Sequence, residues 1–99
     1  MLSDLATELK DALGPKPQSR DCLMDQLHCS DRMLRRAVSE LRSNGLPVAS
    51  DSDTKGYWWG DDNDIARTVK EYRSRAFDLL QIADALESGP DLGQMEVSI

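Results

Sequence analysis

The sequence predicts a mainly α-helical fold with one small β-hairpin and a long C-terminal helix. Three observations carry that expectation. Apolar residues recur at helical spacing through the first 43 positions; the pattern then breaks into two short β-type runs, LPVAS and YWWG; and it returns to a sustained heptad across residues 62–88. At 99 residues the chain has room for one compact core and one appended element.

Each element has local support. Leu2, Leu5, Leu9 and Leu13 lie at helical spacing, and Gly14, Pro15 and Pro17 stop a first helix expected over residues 3–13. Ser19 can cap a second short helix running to Leu27, with Asp21 at the positive end of its dipole and Leu23 and Leu27 on one face. The turn His28-Cys29-Ser30 follows. Ser30 is placed to cap a third helix that runs to Ser43 and stops at Asn44-Gly45, where glycine can take the left-handed conformation that closes helices. Two short strands then flank the turn DSDTKG, with Pro47 restricting pairing on one side. So small a ribbon needs Tyr57, Trp58 and Trp59 as packing anchors in the core or a dimer interface; stacking on nucleic-acid bases is the alternative use for them.

The third helix has two opposed faces. At about 100° per residue, Leu34, Ala37, Val38 and Leu41 fall on one side and Arg32, Arg35, Arg36 and Ser39 on the other. The first set can dock on a core while the arginines face outward, which is how a helix that reads DNA is built. A solvated face making i to i+4 pairs, such as Arg36 with Glu40, would account for one arginine rather than three.

The formal net charge is −6, but the excess acid is localised. Between Arg20 and Trp58 six basic residues balance six acidic ones, whereas residues 59–99 carry nine acids against four bases, a net −5. The central segment is neutral, with its positive charge gathered on one helix. Weak, salt-sensitive binding to DNA follows from such a distribution. No apolar run approaches the ~20 residues a membrane span requires, and MLSDLATELKDAL lacks the basic-then-apolar order of a signal peptide, so a cytoplasmic protein with no membrane partner is expected. Cys22 and Cys29, with His28 beside the second, lack zinc spacing and a second ligand pair; the expectation is two reduced thiols, Cys22 in the core, and no metal or other cofactor.

The C-terminal helix of about 25 residues is about 38 Å long, more than a small domain can cover. Ile65, Val69, Tyr72, Ala76, Leu79, Ala83 and Leu86 follow the 4,3 alternation of a packed helix pair, so they are expected to form a homodimer interface. The other arrangement for this helix is folding back over its own domain. The division expected is a winged helix-turn-helix domain over residues 1–60, a dimerisation helix over 61–89 and a loose tail over 90–99.

The run SDRMLRRAVSELRSNGLPVASDSDTKGYWWGDDNDIARTVKEYRSRAFDLLQIADALE resembles small winged helix-turn-helix proteins of bacteriophages and prophages. Those proteins join the reading helix to the wing through an ELR..G.P pattern and continue with KGYW and an R.SRA helix. A broader resemblance is to the amino-terminal DNA-binding domain of biotin ligase repressors, with its KGY-type wing. The resemblance implies a third helix in the major groove of double-stranded DNA and a wing along the backbone, which transfers onto Arg32, Arg35, Arg36, Ser39 and Lys55. With Ser30 at the start of the reading helix, these form the candidate DNA-contact set. The chain departs from the pattern at Asp51 and Asp53, where a phosphate-contacting wing would carry lysine or arginine.

A dimeric phage or prophage transcriptional regulator or replication-associated factor is thus the leading expectation. The alternative is an acidic protein-interaction module, an adaptor or inhibitor acting on a host protein without DNA. Enzymatic activity is not expected: the sequence pairs no nucleophile with a base and has no phosphate-cradling glycine loop.

Overall fold

A computed structural model describes residues 2–51 and 56–89 of the chain. The expected tail, 90–99, and the hairpin tip, 52–55, which includes Asp53 and Lys55, lie outside the described residues. The element order is α1 (Asp4–Ala12), β1 (Gln18–Ser19), α2 (Arg20–Leu27), α3 (Asp31–Ser43), β2 (Val48–Asp51), β3 (Gly56–Trp59) and α4 (Asp62–Ser88). The protein is therefore mainly helical, with a small antiparallel sheet and a long C-terminal helix. It divides into two compact units, Met1–Thr68 and Val69–Ile99.

In the first unit, serine hydroxyls start three helices. Ser3, Ser19 and Ser30 accept hydrogen bonds from the backbone N–H groups of Ala6, Cys22 and Met33 at 3.2, 3.1 and 3.2 Å. Each satisfies a donor that has no partner within its own helix. The helix α2 ends at His28, in the left-handed region at φ 52. Gly45, at φ 80, closes α3 through a pair of bonds: its N–H donates to Arg42 O and that of Leu46 to Leu41 O. This Schellman arrangement satisfies two terminal carbonyls and turns Leu46 back against the core.

The apolar faces of these helices meet. Ala6, Leu9 and Leu13 of the first helical segment pack with Leu23, with Leu34, Ala37, Val38 and Leu41 of α3, and with Val48 and Tyr57 of the sheet. Among the described residues none of the buried ones is polar or charged. The orientation of α3 is thereby fixed, because rotating it would take four buried apolar side chains out of the core.

The hairpin pairs Val48 with Trp59 and Asp51 with Gly56, and a two-residue strand not anticipated from the sequence, β1, adds to its other edge. The order β1-β3-β2 makes β3 central. Gly56 permits the β1 contact, since a Cβ there would lie 2.7 Å from Gln18 O. Of the aromatic anchors, Tyr57 is buried and Trp59 packs against the core. Trp58 instead donates its indole N–H to Asp64 at 3.2 Å. Asp64 and Asp61 also exchange bonds between side chain and backbone at 3.1 and 2.9 Å, a capping box that starts α4.

In the second unit the helical residues 69–88 bury no side chain. Val69, Tyr72, Leu79 and Leu86 of the expected seam are all exposed, as are Phe77, Leu80 and Ile82. Ile65, the first seam position, belongs to the first unit and is half-buried. Among the described residues no helix is long and apolar enough to cross a membrane.

The expectation for Cys22 needs correction: it is exposed, because the buried face of α2 is carried by Leu23. Cys29 is the half-buried thiol, and desolvation, reinforced by the nearby charge of Glu8, raises its pKa. It is held as the less reactive neutral form.

Candidate nucleic-acid interface

The side of α3 opposite the core carries a shallow, open depression lined by Asp31, Arg32, Arg35, Arg36, Ser39, Glu40 and Ser43. All three arginines and Ser39 are exposed. The spacing that sends Leu34, Val38 and Leu41 inward leaves them no other direction.

The two acids of this face take partners other than Arg32 and Arg36. Asp31 lies between Arg35, at 2.9 Å, and Arg20, at 3.4 Å. Glu40 does not pair with Arg36. Its carboxylate accepts from both the backbone N–H and the hydroxyl of Ser3, each at 2.7 Å, and so holds the start of α1. Arg32 and Arg36 consequently make no hydrogen bond or ion pair with another described residue. Two guanidiniums, each with a planar fork of donors suited to phosphate oxygens or a guanine edge, are thus open to solvent. Arg35 is partly neutralised by Asp31.

The remaining sequence-derived site residues divide. Ser39 lines the depression, while the hydroxyl of Ser30 serves as the α3 cap. Lys55 is outside the described residues. Two basic residues have roles the sequence did not reveal. Arg20, at the start of α2, pairs with Asp31 of α3 and so ties the two helices together. Arg42 turns toward the sheet, donating from Nε to Val48 O at 2.9 Å and from Nη2 to Ser50 Oγ at 3.1 Å, which fastens β2 to the end of α3.

The Glu40 fork has a consequence for pH dependence. Bonds from the Ser3 hydroxyl and then the Ser3 backbone N–H hold the Glu40 carboxyl below the usual carboxylate range. A carboxyl depressed by folding stabilises the native state fully above its unfolded pKa of about 4.3 and loses that contribution as pH falls through the folded value. Glu40→Gln keeps the shape and removes the titration. Its melting temperature, followed from pH 7 to pH 3, is expected to fall less than that of the wild type; parallel curves would show that the fork contributes nothing.

Comparison with protein-family models, with characterised proteins and with solved structures found no match for this chain.

Proposed function

We propose that this chain is a DNA-binding protein of the winged helix-turn-helix type. In this reading α2 and α3 form the helix-turn-helix, the β2–β3 hairpin is the wing, and α3 enters the major groove. The observation that carries it is the pair of exposed guanidiniums of Arg32 and Arg36, without a partner among the described residues, on a helix whose opposite face is locked into the core. Phosphate contacts would position the module and at least one arginine would read a guanine edge. The reading is of a binding protein rather than an enzyme.

The same proposal includes a homodimer through α4, supported by its exposed heptad, and a role as a phage or prophage regulator or replication-associated factor, supported by the sequence resemblance described above. A gel shift tests the DNA reading. The duplex flanking the protein's own gene is compared with an unrelated duplex, each at low and moderate salt. Retention of the flanking duplex at the salt where the unrelated one is released is the expected result. Failure to retard any duplex at low salt favours a protein-interaction module, for which the exposed apolar residues of α4 would be the contact surface.

A further inference from the structure

We propose that the partner of α4 is α4 of a second copy lying antiparallel to it. This inference rests on the dimeric reading above and adds an orientation and a register. Leu79, Leu80, Ile82, Ala83 and Leu86 spread over about 160° of the helix surface at 100° per residue, a stripe as wide as a core-facing helix presents. None of it is buried within the chain.

Charge decides the orientation. Residues 69–75 carry Lys70, Arg73 and Arg75 against Glu71, whereas residues 76–88 carry Asp78, Asp84 and Glu87 and no basic residue. The first turn of α4 is acidic, at Asp62 and Asp64, as the helix dipole favours, but Glu87 in the last turn sits where the dipole disfavours acid and no basic residue offsets it there. A parallel pair would set basic half against basic half and acidic against acidic. Reversing one helix sets each basic half against an acidic one and opposes the two dipoles.

The register follows from the flanks of the stripe. Arg73 and Glu87 each directly follow a heptad position, Tyr72 and Leu86, and so lie on the same edge of the seam. In antiparallel pairs equivalent edges face each other, which brings Arg73 of one copy to Glu87 of the other. The centre of that pairing falls at Leu80, which then meets its own counterpart across the two-fold axis. This accounts for an apolar side chain that is 63% exposed yet lies outside the strict heptad. Ala76 and Ala83 are small enough to let the backbones approach.

Two measurements test this. Sedimentation of the wild-type protein in 50 and 500 mM NaCl is expected to show a dimer whose dissociation constant rises about three- to tenfold with salt, because attraction between flanking charges is screened. In a Cys22→Ser, Cys29→Ser background, Arg73→Cys and Glu87→Cys are prepared separately, mixed and oxidised; a disulfide linking one variant to the other is expected. A dimer tightened by salt, with cross-links confined to each variant alone, overturns the antiparallel orientation and leaves the dimer standing. A wild-type monomer at high micromolar concentration overturns both, and assigns the face to a different protein.

Discussion

Alanine at both Arg32 and Arg36 is expected to lower affinity for duplex DNA about a hundredfold while leaving the melting temperature within about 2 °C of wild type. A single phosphate or base contact from a guanidinium is worth about 1–3 kcal/mol, and two losses of about 1.4 kcal/mol each combine to about two powers of ten. Stability is spared because neither side chain has a partner to lose among the described residues and both face away from the core. Arg35→Ala is expected to cost less binding, since Asp31 already offsets its charge at 2.9 Å. Asp31→Asn should have the opposite effect, releasing Arg35 and Arg20 and tightening association with any duplex. Fluorescence anisotropy and thermal melts of the same preparations separate binding from folding. Equal loss of melting temperature in the double alanine variant would move these arginines from the interface to the structure.

Leu34→Ala reverses that pattern. Leu34 is fully buried between the helices, and its truncation leaves a cavity costing about 3 kcal/mol. A unit of this size has only about 5 kcal/mol in total. The melting temperature is therefore expected to fall on the order of 15 °C, with binding by the fraction still folded unchanged. Calorimetry and a binding titration well below the new transition check both halves. A variant that melts like wild type would mean that the inward face of α3 does not anchor it, and the outward aim of the arginines would lose its cause.

The sequence made the local features legible because their causes are local. Ser19 and Ser30 announce helix starts through hydroxyls that reach only three residues ahead, and Asn44-Gly45 announces a stop through glycine's access to positive φ. The two faces of α3 follow from 3.6-residue periodicity alone. What stayed hidden depends on residues far apart in the chain. The strand β1 is two residues long and exists only because Gly56 lets Gln18 approach, so no periodicity could mark it. Glu40 stands four residues after Arg36, the spacing of a helical ion pair, yet Ser3 binds it from 37 positions away with two hydrogen bonds. That one exchange leaves Arg36 without a partner among the described residues on the candidate interface. Arg42 likewise has the sequence character of a surface charge, and only the return of β2 beside α3 gives it backbone and hydroxyl acceptors. Cys22 is exposed for a related reason: the face of α2 that meets the core is set by tertiary packing and is carried by Leu23, with Met24 and Leu27 partly buried beside it.

The central claim is that the arginine face of α3 binds the backbone and bases of double-stranded DNA. Its most direct test is the salt dependence of affinity for a labelled duplex, measured by anisotropy for the wild type and for Arg36→Ala. Binding at 50 mM salt is expected to weaken along a straight line of log affinity against log salt, with a slope of about −2 or steeper, since each neutralised phosphate contributes about −0.9. If Arg36 meets a phosphate, its removal makes the slope shallower by about one; if it reads a base, the slope holds and discrimination at one base pair is lost instead. A wild-type protein that binds no duplex at 50 mM salt, or an Arg36→Ala variant indistinguishable from wild type in affinity, slope and discrimination, would contradict the claim.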